Sequence, residues 1–370
     1  MGRFLPGYKD GGPVRSIKNL VDRLGTEYEF HILTVDRDHG DTEPYPSIQY
    51  DTWNQVGNAK VWYVQPGGFT NEVVSKLAAE ANLVYVCGCF NDYARTVMAL
   101  KKRDIIKVPV VIAAMGLFSP GAFRIKYLKK KAYVSLLRML GFFRNVEWSA
   151  TSEEEARDIR RQVGADAVCY LAEDLPRRAV SLRRDLSSDV GQLRIIFLSR
   201  ISRKKNLTYA ADILKKWGEE HPDCNVFFDV YGNKEDPIYV KECENRLEVL
   251  PQNVKYKYCG LADAEKVIET FAKYDMFLFP TLGENYGHVI FEAMAGGCIP
   301  LISDQTPWTD EKLGGNGKVI SNDCIDDWVE TIQSYVEMEN ADLIERALQC
   351  ISFAEKYKAD EDSYRRIFDQ

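Results

Sequence analysis

Met276-Phe277-Leu278-Phe279-Pro280-Thr281-Leu282-Gly283-Glu284-Asn285-Tyr286-Gly287-His288-Val289-Ile290-Phe291-Glu292 is the stretch on which the reading of this 370-residue chain turns. Four apolar residues closed by a proline predict a buried parallel strand, Met276 to Phe279. Glu284 then falls in a loop past the strand's C-terminal end. Glu292, eight residues on, falls one to two turns into the next helix. Open α/β sheets bind ligands at that end of their strands. One carboxylate on the loop and one on the helix suit two parts of a polar, hydroxyl-rich ligand. The amides of Tyr286, Gly287 and His288 lie near the helix start, where anions are favoured.

Outward from this segment, short apolar runs alternate with helical patterns along the whole chain, the signature of βα repetition. Towards the C-terminus, strands are predicted at Leu193–Ser199, Val226–Val230, Val254–Tyr258 and Cys298–Ile302, with helices at Leu207–Trp217 and Ala264–Lys273. In the first half, strands are predicted at Phe30–Val35, Val61–Val64, Leu83–Val86, Val110–Ala113 and Asp166–Tyr170. A helix over Glu153–Val163 follows Thr151 and Ser152, either of which suits its cap, with Glu154 or Glu155 completing a capping box. A glycine-rich loop, Asp10 to Arg15, precedes a helix over Ser16–Leu24. Only Met1 to Leu5 is available for the strand that normally precedes such a loop.

Length alone favours two domains. We expect an N-terminal domain over 1–178 whose first strand is short or missing, and a polar linker at 179–191. A second domain over 192–350 follows, and a C-terminal helix at 351–370 returns towards the first domain. The formal charge of −7 speaks against a broad nucleic-acid surface. No apolar run reaches the ~18 residues of a spanning helix. The opening residues lack the apolar core of a signal peptide. Nine cysteines, several inside apolar stretches, read as free thiols in a reducing compartment, and Cys87-Gly88-Cys89 has no second pair near it. Four histidines are too few for a zinc cluster.

A second chemical feature is Leu198-Ser199-Arg200-Ile201-Ser202-Arg203-Lys204-Lys205-Asn206-Leu207. It follows the first strand of the second domain. A guanidinium fork at Arg200 and a point-charge ammonium at Lys205 are complementary tools for a diphosphate. Glu292 sits between Phe291 and Ala293, where a charge needs a partner or a ligand.

Together, Arg200 through Lys205, the Tyr231-Gly232 turn, the Cys259-Gly260-Leu261 turn, the Glu284 to Glu292 block and Ile302 to Trp308 resemble the donor domain of glycosyltransferase family 4, the glycosyl transferases group 1. The opening loop Phe4 to Arg15 resembles the start of the same family, so the resemblance spans nearly the whole chain. It implies an α/β protein of the GT-B fold, two Rossmann-like doubly wound domains facing a central cleft.

The resemblance also implies roles. Arg200 and Lys205 would hold the donor diphosphate and stabilise its departure. Glu292 would bind the ribose hydroxyls, and Glu284 would lie near the donor sugar. Asn285, Tyr286, Gly287 and His288 would lend main-chain amides. Gly232 and Leu261 would line the nucleobase pocket, and Gly11 and Gly12 would let the first loop approach the diphosphate. The implied activity is retaining transfer of a hexose-like sugar from a UDP- or GDP-sugar to a glycan or lipid-linked acceptor in surface polysaccharide synthesis. No metal and no cofactor is expected. The alternatives are an inert nucleotide-sugar-binding or scaffold member of the family, or a nucleotide-sugar epimerase of the same fold.

Two regions depart from the pattern. Many family members carry a histidine near the acceptor, whereas Pro109 to Pro120 has none and Trp148 occupies another common histidine place. Trp308 reads either as packing between domains or as touching ligand. Finally, 123–144 carries seven basic residues and no acid, interleaved with apolar ones. This resembles a helix resting on an anionic membrane, or a basic helix packed on its own domain. The expected location is the cytoplasm, at the inner face of the membrane.

Overall fold

The computed structural model describes residues 1–119, 127–178 and 192–370. The expected linker at 179–191 lies outside the described residues, as does the 123–126 portion of the basic stretch. The chain divides into two compact units, Met1–Arg177 with Ala359–Gln370, and Arg178–Lys358.

In the first unit, α1 (Gly12–Leu24) leads into β1 (Phe30–Val35), β2 (Asn54–Val56) and β3 (Ala59–Val64). These strands form one sheet, with β1 parallel to β3 and β2 antiparallel on its edge. Then come α2 (Asn71–Ala78), β4 (Val84–Cys87), α3 (Asp92–Lys102), β5 (Val110–Ala113), α4 (Tyr127–Met139), β6 (Glu147–Ala150), α5 (Glu153–Val163) and β7 (Cys169–Leu171). β4, β5, β6 and β7 form a second, wholly parallel sheet. Met1 to Leu5 is not a strand. It runs beside β1, the Met1 amine donating to Leu33 O at 2.9 Å and Val35 N to Gly2 O at 3.2 Å.

The glycine loop is fixed by a buried carboxylate. Asp38 accepts from Tyr8 N at 2.9 Å and from Lys9 N. Gly11 then caps α1 with a positive φ of 66°, and Pro13 supplies the first turn. A second buried carboxylate fixes the loop after β5. Ser152 caps α5 through Glu155 N at 3.2 Å, and the Glu155 carboxylate accepts from Thr151 N and Oγ1, both at 2.8 Å, and from Gly116 N. Burial pushes the Glu155 carboxyl above its usual range, against these hydrogen bonds. Trp148 is wholly buried on β6 between Phe118 and Phe143, so it fills core. Cys87 and Cys89 are buried too, and burial pushes both thiols up, Cys87 to about 11. Neither is a thiolate near neutral pH.

The second unit follows one rule throughout. Its strands are β8 (Gln192–Leu198), β9 (Asn225–Tyr231), β10 (Val254–Gly260), β11 (Met276–Phe279), β12 (Ile299–Ser303) and β13 (Lys318–Ile320). All neighbours are parallel, in the order β10-β9-β8-β11-β12-β13. The connecting helices are α6 (Leu207–Glu220), α7 (Pro237–Leu247), α8 (Val267–Phe271), α9 (His288–Ala295), α10 (Asp310–Leu313) and α11 (Ile325–Val336). α12 (Asn340–Lys356) packs on α9. The segment Ala264–Lys273 is a 3₁₀ turn followed by the short α8 rather than one helix. The last helix, α13 (Glu361–Phe368), belongs to the first unit, where Tyr364 and Ile367 join its core.

Chain order reverses between β8 and β11. That is the switch point of a doubly wound sheet, where the two crossover connections part and leave a crevice at the strands' C-terminal ends.

Candidate functional site

The loops leaving β8 and β11 meet at that crevice. Asn206 adopts a left-handed φ of 59° and its Nδ2 donates to Pro280 O at 3.0 Å. Leu282 N and Thr281 Oγ1 both donate to Lys204 O, at 2.8 and 3.0 Å. From the β12 side, Ser303 Oγ donates to Thr281 O at 2.6 Å and Glu284 N to Gln305 O at 3.1 Å. Trp308 is buried in the core of this unit, and its Nε1 donates to Tyr286 O at 2.7 Å. It packs in the core of the second unit and props the loop.

These clamps bring Lys205 and Glu284 into direct ion-pair contact, both side chains largely buried. The Lys205 ammonium also sits 5.4 Å from the Phe279 ring centroid. Arg200 does not join that pair. Its guanidinium lies 3.3 Å from both carboxylate oxygens of Glu235, at the more exposed side of the same loop. Lys204 is exposed as a residue, yet the protein around its ammonium pushes it below the usual lysine range. Glu284 pulls the other way, and the charges of Lys205 and Arg200 add to the push. Three cations and two carboxylates thus lie along this loop, Lys205 on Glu284 and Arg200 on Glu235.

Glu292 lies on α9 and is 3% exposed, between Phe291 and Ala293. Asn285 is half-buried. Tyr286 and His288 are buried, their rings 4.8 Å apart, so His288 packs against the loop it follows. Gly287 caps α9 with a φ of 79° and no side-chain cap, which leaves the helix start to its own amides.

Gly232 follows β9. A Cβ there would fall 1.8 Å from Ser199 O, so no other residue fits without moving β8. Its carbonyl accepts from Tyr258 Oη at 2.9 Å, and its N donates to Gly260 O at 2.8 Å. Leu261, half-exposed, forms the rim beyond Gly260. Gly11 and Gly12 belong to the first unit; a Cβ added at Gly12 meets nothing within 4 Å.

Sequence reasoning missed Ser199, Thr281, Tyr258 and Asp38 as supports. Thr281 had a usable signal, a small hydroxyl directly after a strand-ending proline. The others act through partners distant in sequence.

The family model described as glycosyl transferases group 1 matches residues 181–357, and the C-terminal unit belongs to that family. Among curated proteins, glycosyltransferase 1 domain-containing protein 1 of Xenopus tropicalis is 27% identical over 165 residues, 44% of each chain. A Bacillus cereus glycogen synthase is 25% identical over 207 residues, 54% of this chain and 42% of that one. The chain thus spans less than half the length of the curated relatives it matches. Among solved structures, Anabaena Alr3699/HepE in complex with UDP and glucose is similar with a TM-score of 0.66 at 15% identity, covering 98% of this chain and 97% of that one. An E. coli structure described as trehalose-6-phosphate bound with UDP-2-fluoro glucose is similar with a TM-score of 0.68 at 11% identity, covering 100% and 97%. The fold is the GT-B type.

Proposed function

We propose that the protein is a retaining glycosyltransferase of family 4. It moves a hexose-like sugar from a nucleotide-diphosphate sugar to a glycan or lipid-linked acceptor in surface polysaccharide synthesis. The observation that supports this is the contact of Lys205 with Glu284 at the sheet's switch point, with buried Glu292 on the helix that follows the same strand.

In this reading the C1–O bond to the diphosphate breaks and the acceptor oxygen bonds C1 on the same face. The acceptor's proton passes to a departing diphosphate oxygen. Negative charge grows on that diphosphate, where Lys205, Lys204, Arg200 and the amides of the α9 start stabilise it. An ammonium has three donors, so Lys205 can hold Glu284 and a phosphate oxygen together. Glu284 lies beside the sugar, Glu292 takes the ribose hydroxyls, and Gly232 and Leu261 border the base. UDP is the favoured nucleotide, because similar structures carry UDP or a UDP-sugar. No metal is assigned a role.

Calorimetric titration with UDP, GDP and ADP, with and without magnesium, tests this. We expect saturable UDP binding without metal, abolished in Glu292→Ala. Absence of binding by any of the three nucleotides would sink the donor assignment.

Membrane contact is a second part of the reading. α4 turns Val134 and Leu137 into its own core. Its outer side carries Leu128, Leu136 and Met139, with Leu128 and Met139 78% and 77% exposed, flanked by exposed Lys129, Lys131 and Arg138. An apolar stripe between cations fits the headgroup region of an anionic bilayer, and would hold the enzyme at the inner face of the membrane. Leu128→Glu with Met139→Glu should abolish co-sedimentation with phosphatidylserine vesicles at low salt. Equal sedimentation of the double variant and the parent would refute the contact.

A further inference from the structure

A groove of about 710 Å³ opens on the second unit, lined by residues that share nothing with the site above. Its floor is aromatic. Phe353 and Tyr357, on and just after α12, are both partly buried, with ring centroids 5.8 Å apart at 54°. The turn opposite Phe353 carries no side chains at two of its positions. Gly314 and Gly315 follow α10 with φ of 59° and 80°, a left-handed pair that glycine adopts without cost. A Cβ at Gly314 would already stand 3.4 Å from the Phe353 ring. Asn316 holds this turn closed, its Nδ2 donating to Leu313 O at 2.9 Å and to Gly314 O at 3.2 Å.

Polar groups border the rings. Gln349 and Ser352 stand on the helix side, and Lys356 and Lys358 at the mouth. Among the described residues neither lysine has an ion-pair partner. Lys356 complements the C-terminal end of α12, but Lys358 lies beyond the helix and has no such role. The partly exposed edges of the rings suit the C–H face of a pyranose, an amide and a hydroxyl suit its hydroxyl groups, and two ammonium groups without an ion-pair partner suit a negative substituent.

We propose that this groove is a second saccharide site, taking a sugar that bears a phosphate or carboxylate. It is separate from the nucleotide-sugar site and does not depend on that assignment. Behind the rings, Tyr357 packs on Phe291 at 5.4 Å and on Trp308 at 6.1 Å, the residues beside Glu292 and Tyr286. For that reason Tyr357 is not a clean position to mutate.

The test is titration of the full chain with glucose 6-phosphate under saturating UDP, read by ligand-observed NMR. Glucose and inorganic phosphate are run as separate probes. Glucose 6-phosphate should saturate and bind more tightly than either fragment. Lys356→Ala with Lys358→Ala should weaken it about tenfold while the thermal midpoint stays put. Phe353→Ala gives an independent reading on the aromatic floor. The proposal is overturned by absence of saturation, by displacement on adding UDP, by inorganic phosphate binding as tightly, or by indifference to the lysine pair.

Discussion

Lys205→Ala should lower kcat for the proposed sugar transfer from a nucleotide-diphosphate sugar by about 10²–10³-fold, the loss seen when one donor to a developing oxyanion is removed. The ammonium is nearly buried, clamped to Glu284 and seated over Phe279. Lys204 and Arg200 remain, but Arg200 is held by Glu235 and neither reproduces the position. Removal also strands the Glu284 carboxylate in a largely dry setting, which costs stability by up to about 3–5 kcal/mol for a fully buried pair. Stability and catalysis are separable. Lys205→Met combined with Glu284→Gln leaves no orphaned charge, so its denaturant midpoint should recover relative to Lys205→Ala while transfer stays low. If Lys205→Ala keeps kcat within about threefold of the parent, the ammonium has no part in stabilising the leaving group.

Gly232→Ala should be the most damaging single methyl in the second unit. The added carbon would fall 1.8 Å from Ser199 O and 2.9 Å from Ser199 C, both main chain. Main chain cannot rotate aside as a side chain does. The ends of β8 and β9 must part, breaking the Ser199 N to Tyr231 O bond of 3.1 Å. A destabilisation of about 3–4 kcal/mol is expected, above ordinary overpacking and within the range of disrupted backbone. Gly12→Ala is the matched control. Its methyl meets open space, so the denaturant midpoint should move by less than about 1 kcal/mol. Equal midpoints for the two variants would show that the β8–β9 end is soft.

What the sequence disclosed follows from how local each signal is. Met276 to Phe279 is four buried residues bounded by a proline, and strand β11 has those bounds. Glu153 to Val163 has Ser152 before it and Glu155 at the capping-box position, and α5 has those bounds too. β2 went unread because Asn54-Gln55-Val56 is a polar edge pairing that only β3 stabilises. The carboxylate block and the basic loop were legible as segments. Their contact was not, because Lys205 and Glu284 are 79 residues apart. Nor were the supports: Asp38 reaches back to Tyr8 N, Glu155 to Gly116 N, and Trp308 to Tyr286 O. Each is an ordinary polar or aromatic residue whose partner only the fold supplies.

The strand order carries a consequence for how the proposed site is assembled. β8 pairs along its whole length with β9, the next strand in the chain, whereas its pairing with β11 joins Ile195 and Ile196 to Met276 and Phe277 across the whole of β9, β10 and their helices in sequence. Arg194 N to Asp275 Oδ2 at 2.9 Å, and Asp275 N to Arg194 O at 2.8 Å, stitch that seam. Non-local parallel pairing is slow to close, because chain entropy is lost before the contacts repay it. A half of the sheet built from β8, β9 and β10 would hold Arg200 and Lys205 but no Glu284 or Glu292. Nucleotide binding at the proposed donor site should therefore, in a refolding experiment, follow the closing of the seam rather than the growth of helix or strand.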